Sequence, residues 1–168
     1  MVKRENVGAC TAVVVLMALL LTAAGCRTSY VQAQDATDTG RQVEQAVDNR
    51  ELRIEVNSMT TQRYGSHRIA SDFYLLLRGD TLESRLPFLG RVHTPSYNSP
   101  SQGLDFISAV RDFRRTTTKR GGVRIEMKVK SDEDRYFYQV DISPNGKASI
   151  QVLPQERDAV SFDGEVAF

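Results

Sequence analysis

Histidine and cysteine are almost missing from this chain. Its 168 residues include two cysteines, Cys10 and Cys26, and two histidines, His67 and His93. So few thiols exclude a disulfide framework and a cysteine-based metal site. A histidine-dependent triad would have to use His67 or His93, both in predicted loops or strand ends, and no serine occupies a Gly-x-Ser-x-Gly elbow. Net charge is lacking too. Of the 22 basic and 21 acidic residues, Lys3, Arg4 and Glu5 precede Cys26, so the chain from Cys26 onward balances at 20 of each sign. A neutral chain has no global field to draw in nucleic acid, and an electrostatic partner must be met by a local patch. Asp132, Glu133 and Asp134 crowd one turn, but they lack the spacing of a calcium loop and read as a hydrated tip. The expected tally is no catalytic residue, no metal and no cofactor.

One long apolar run is present. Thr11 to Ala24 carries no charge and follows Lys3 and Arg4, the pattern of a secretory signal. It ends in Leu21-Thr22-Ala23-Ala24-Gly25-Cys26, which resembles a lipobox with Ala23 where leucine is usual. Residues 1–25 therefore read as a lipoprotein signal peptide and Cys26 as the residue freed for acylation. Buried acyl CH₂ groups contribute about 0.8 kcal/mol each, so a multiply acylated cysteine would hold a domain at the bilayer. A retained spanning helix from Val7 and cleavage after Val31-Gln32-Ala33 are the alternatives, and all three imply export.

Residues 26–40 follow as a lipidated cysteine and a polar tether without apolar period, and residues 41–168 as a single β-rich domain. Val43, Ala46 and Val47 recur at helical spacing, which predicts a short helix over 41–49, capped by Thr39 or Gly40. The period then changes to two. Leu52, Ile54 and Val56 alternate with Arg53, Glu55 and Asn57, and the same alternation returns at 123–130, 136–142 and 148–152. Phe73 to Leu77 is apolar on both faces, a strand covered on both sides, and turns through Arg78-Gly79-Asp80 into 81–86. Leu104, Phe106 and Val110 share one parity and Phe113 the other, so a bulge or bend is expected between them. A meander begins near Phe113, its turns carried by Arg120-Gly121-Gly122, by Ser131 to Asp134 and by Ser143-Pro144-Asn145-Gly146, whose Asn-Gly supplies positive φ. A last strand covers 159–166. Eight or nine antiparallel strands and one short helix predict a mainly β fold, a sandwich or a partly closed barrel.

Gly79-Asp80-Thr81-Leu82, Pro87-Phe88-Leu89-Gly90-Arg91, Asp105-Phe106, Asn145-Gly146-Lys147-Ala148 and Ser161-Phe162-Asp163-Gly164-Glu165 stand in this order along the chain. Together they resemble the Bacteroidota lipoprotein family known as domain of unknown function 4251, over roughly residues 41–168. The resemblance implies a Gram-negative envelope lipoprotein and brings no catalytic residue with it. In such bacteria, acidic residues after the lipidated cysteine look like a surface-export signal, whereas Cys26 is followed by Arg27-Thr28-Ser29-Tyr30. The expected location is the outer membrane, facing the periplasm.

Two anomalies offer binding residues. Residues 111–130 hold Arg111, Arg114, Arg115, Lys119, Arg120, Arg124, Lys128 and Lys130 against Asp112 and Glu126. This basic hairpin either solvates the sheet or recognises phosphate-bearing groups through arginine forks. Arg114, Arg115, Arg120 and Arg124 are its candidate contacts. The loop from Pro87 to Gly103 is long for a compact β domain and offers Arg91, His93, Tyr97 and Asn98, unless it simply covers one end of the sheet with Phe88 and Leu89. The expected function is a non-catalytic binding module, held to the membrane through Cys26, with an envelope protein or an anionic lipid such as lipopolysaccharide as partner and no nucleic acid. A carrier with an apolar cavity between the sheets and a hydrolase built on His67 or His93 are the alternatives.

Overall fold

The computed structural model describes residues 28–70, 72–93 and 103–168. Cys26 and the signal segment lie outside the described residues. From Thr37 onward the chain forms one compact unit, and no described helix is long and apolar enough to cross a membrane. Helix α1 (Thr28–Asp48) is followed by β1 (Glu51–Thr61), β2 (Gly65–Arg68), β3 (Tyr74–Arg78), β4 (Thr81–Leu86), β5 (Leu104–Thr117), β6 (Val123–Lys130), β7 (Arg135–Ile142), β8 (Lys147–Pro154) and β9 (Val160–Ala167).

From β3 to β9 each strand pairs antiparallel with the next, and β1 pairs with both β3 and β9. The sheet is therefore a closed eight-stranded barrel, with β2 as an added strand on the far half of β1. Closure decides between the two expected architectures in favour of the barrel, because two pairings of β1, to β3 and to β9, leave no free edge in the ring. At the seam the register slips between Val56 and Ser58, and Gly164 sits opposite Val56. A Cβ at Gly164 would lie 2.1 Å from the Glu55 carbonyl oxygen, so the seam closes only where a side chain is missing.

Alternation fills the interior as expected. Ile54, Leu82, Leu104, Ile125, Tyr138, Ile150 and Phe162 are each 0% exposed. Val43 and Val47 of α1 join the same core, with Ala46 packed against it. The helix stands at the end of the barrel where the β7–β8 turn lies, since a Cβ on Gly146 would meet Thr39 Cγ2 at 3.4 Å, and Asp48 pairs with Arg115 Nε at 3.1 Å.

Four local expectations change. The segment read as a tether is helical from Thr28 onward, so Thr39 and Gly40 lie inside α1 instead of capping it. Gln32, Ala33, Gln34 and Ala36 are good helix formers, and once the packed turn around Val43 and Val47 is nucleated, extension needs no apolar period. The strands expected on either side of Phe113 are one strand, β5, which carries the bulge within it at Arg111 to Arg114, with Asp112 at φ 54°. At the β7–β8 turn only Gly146 has positive φ (81°), and its N–H donates to the Ser143 carbonyl at 3.0 Å. Pro144 holds its own φ near −65°, which selects a type I turn followed by a left-handed glycine. Leu76, expected under a second layer, is 8% exposed although its side chain is on the outer face, where Arg53 and Glu83 flank it in register.

Candidate anion-binding groove

Register sets which side chains share the outside of the barrel. Val129, Tyr136 and Val152 are buried, so their neighbours Lys128, Lys130, Arg135, Phe137 and Leu153 point outward. Arg111 is opposite Lys128, Lys128 opposite Phe137, and Phe137 opposite Leu153. One row across β5 to β8 thus reads Arg111, Lys128, Phe137, Leu153. In the next row Lys130 is opposite Arg135, and the Gln155 N–H donates to the Arg135 carbonyl at 3.0 Å. The two rows line a groove of about 490 Å³, a volume in the range of small-ligand sites. Its β5 wall is made by Arg111 and Asp112 of the bulge, a feature that bends its strand and increases local twist. Phe137 and Leu153 give it an apolar side, with Leu153 39% exposed.

Four cations in this groove, Arg111, Lys128, Lys130 and Arg135, meet one acid, Asp112. Lys128 Nζ donates to Asp112 Oδ2 at 2.9 Å, and that hydrogen bond and charge, helped by Arg111 and Arg114, hold the Asp112 carboxyl below the usual carboxylate range. Among the described residues, Arg111, Lys130 and Arg135 have no carboxylate within ion-pair distance. Two acids of the adjoining turn are already engaged. The Asp134 carboxylate accepts the N–H groups of Arg135, Gln155 and Glu156 at 2.6 to 3.3 Å, and Glu133 accepts from Arg157 Nη2. Adjacent strands are about 4.8 Å apart, so these like charges stand close together, while Lys130 and Arg135 also border a second hollow with Asp132, Glu133, Asp134 and Glu156. A bound anion would relieve that repulsion.

The candidate arginines of the basic hairpin do not converge. Arg114 lies outward, 3.9 Å from Glu126, whereas Arg115, on the opposite parity, reaches the helix at Asp48. Arg124 donates twice to Asp141, at 2.6 and 3.0 Å, and Arg120 is exposed in the turn after β5. Three of the four are paired where they stand, Arg114 and Arg124 by acids on neighbouring strands and Arg115 by Asp48 of the helix, partners that the local sequence does not reveal. Reading alternation outward from the buried positions of β6, β7 and β8 would have found Lys128, Lys130, Arg135, Phe137 and Leu153. Arg135, Phe137 and Leu153 were missed because they belong to no charge cluster in sequence.

Of the loop candidates, Tyr97 and Asn98 lie outside the described residues. Arg91 N–H donates to Asp158 Oδ2 at 2.9 Å, His93 Nε2 is 3.2 Å from Asp158 Oδ1, and His93 N–H donates to the Glu156 carbonyl at 2.8 Å. This strip is tied down along 156–158. Phe88 packs against the core beneath Arg157, whose guanidinium is 5.5 Å from the ring centroid. The described part of the loop is therefore a cover over the end of the barrel away from α1.

A family model described as domain of unknown function (DUF4251) matches residues 34–166. The chain belongs to the DUF4251 family. Its fold is similar to the crystal structure of a DUF4251 family protein from Bacteroides eggerthii DSM 20697, with a TM-score of 0.60 and 12% identity over 77% of this chain and 87% of that one. At that identity the likeness is one of fold. No curated protein matches the sequence. In this DUF4251 chain the motif residues serve the architecture: Gly79 opens the β3–β4 turn at φ 55°, and Gly164 permits closure. Gly90 leaves room for Phe88, whose Cζ would lie 2.8 Å from an added Cβ. The groove is built from other positions.

Proposed function

We propose that this DUF4251 protein is a lipid-anchored envelope protein whose barrel acts as a non-catalytic binding module for an anionic ligand. The observation that carries this reading is the outer groove of β5 to β8, where Arg111, Lys130 and Arg135 gather without a carboxylate partner among the described residues. A carrier would need a void inside the barrel. Ile54, Leu82, Tyr138, Ile150 and Phe162, which fill that space, are each 0% exposed, and this favours the outer face. For a hydrolase, His67 is exposed on β2 and His93 is engaged with Asp158. Among the described residues neither imidazole bonds a hydroxyl, the arrangement nucleophilic catalysis uses.

The reading is tested on phosphocellulose with the full chain in neutral detergent. A triple variant, Arg111→Gln, Lys130→Gln and Arg135→Gln, is expected to elute at clearly lower salt than wild type. Arg114→Gln with Arg124→Gln removes two charges outside the groove and should lower the elution salt less than the triple variant does. At physiological salt the Debye length is about 8 Å, so only charges held together act as one site. Equal elution of wild type and the triple variant would reject the groove as the binding surface.

A further inference from the structure

From the same groove, and resting on the reading above, we infer that the anion it takes is the phosphate of an amphiphile, with apolar chains laid against Phe137 and Leu153. The two rows separate the chemistry. Lys130 and Arg135 lie opposite each other on β6 and β7, and Arg111 and Lys128 on β5 and β6, so the cations form a zigzag across three strands. The row that starts with Arg111 and Lys128 continues into Phe137 and Leu153. A ligand filling both parts must carry negative charge at one end and hydrocarbon at the other.

An acidic peptide fits less well. Each of β5 to β8 is hydrogen-bonded to a neighbour on both sides, so the groove offers no free backbone edge for an added strand. What it presents beside apolar surface is chiefly N–H donors on Arg and Lys, and phosphate oxygens are acceptors that a guanidinium binds in pairs. A protein held at a bilayer would also meet lipid headgroups at high effective concentration.

The test uses the full chain in neutral detergent and reads protection of Lys128 and Lys130 from an amine-labelling reagent by mass spectrometry. Dihexanoyl phosphatidic acid, glycerol 3-phosphate and the phosphate-free neutral lipid dihexanoylglycerol are titrated in turn. The phosphatidic acid is expected to protect both lysines at a concentration at least about ten-fold lower than glycerol 3-phosphate, because burying even two CH₂ groups amounts to about that factor. The neutral lipid should protect neither. Arg111→Gln with Arg135→Gln should weaken protection by both phosphates, whereas Leu153→Gln, at an exposed position, should weaken protection by the lipid alone; Phe137→Gln repeats the second test at the neighbouring site. Equal potency of phosphatidic acid and glycerol 3-phosphate would overturn the amphiphile while leaving an anion groove. Protection by the neutral lipid would also overturn it, and protection by none of the three would remove both readings.

Discussion

Tyr138 shows how a single polar group is kept in an apolar interior. Its hydroxyl, on a residue 0% exposed, donates to Ser84 Oγ at 3.1 Å, and Ser84 Oγ donates to the Leu104 carbonyl at 2.8 Å. Burial pushes the Tyr138 pKa up, with the Ser84 hydrogen bond opposing, from a usual value near 10. A folded-state pKa above the unfolded one means stability is fully present below about pH 10 and is lost as pH rises beyond it. Wild type is therefore expected to lose stability steeply above about pH 10, and Tyr138→Phe to lose less. At neutral pH the same substitution should cost about 1 kcal/mol for the missing hydrogen bond. Urea unfolding at neutral and at alkaline pH checks both, and an equal alkaline loss in the two proteins would show that Tyr138 is not the group responsible.

Among the elements, the seam between β1 and β9 depends on one missing side chain. Gly164→Ala places a carbon against the Glu55 carbonyl, and overpacking of this sort typically costs about 1–3 kcal/mol. We expect a loss of at least about 2 kcal/mol in urea unfolding, because backbone and not a mobile side chain must move. Gly40→Ala is the comparison. Its Cβ would find ordinary contacts near Pro144, the nearest at 3.5 Å, and alanine is favoured over glycine in a helix by up to about 1 kcal/mol. That variant should be as stable as wild type or more so. An unchanged midpoint for Gly164→Ala would mean that the strands separate there at no cost.

On the proposed reading, the whole molecule would combine a lipid anchor at Cys26 with a groove that faces outward from a filled barrel. The anchor is tested separately from the groove. On the proposed anchor, Cys26→Ser should abolish incorporation of labelled palmitate and move the protein from the detergent fraction to the soluble periplasm, since no chain would be added without that thiol. Membrane retention unchanged by the substitution would favour the spanning helix from Val7 over the lipid. Charge belongs to this scale as well: a chain of balanced composition still keeps Arg111, Lys130 and Arg135 together on one face.

The β class, most strand positions and the bulge before Phe113 were legible in the sequence because each is local. Alternation is fixed by the period of a strand, and a bulge shows as a change of parity. Alternation also set Arg114 and Arg115 on opposite faces. Helix α1 was only half legible, since its first turns lack the apolar spacing that marks the packed part around Val43 and Val47. Closure through β1 and β9 and the pairing of Arg124 with Asp141 were decided by tertiary structure, as was the groove of Arg111, Lys130, Arg135, Phe137 and Leu153. These residues come from strands separated along the chain, and their meeting depends on register across the barrel, which no window of sequence contains.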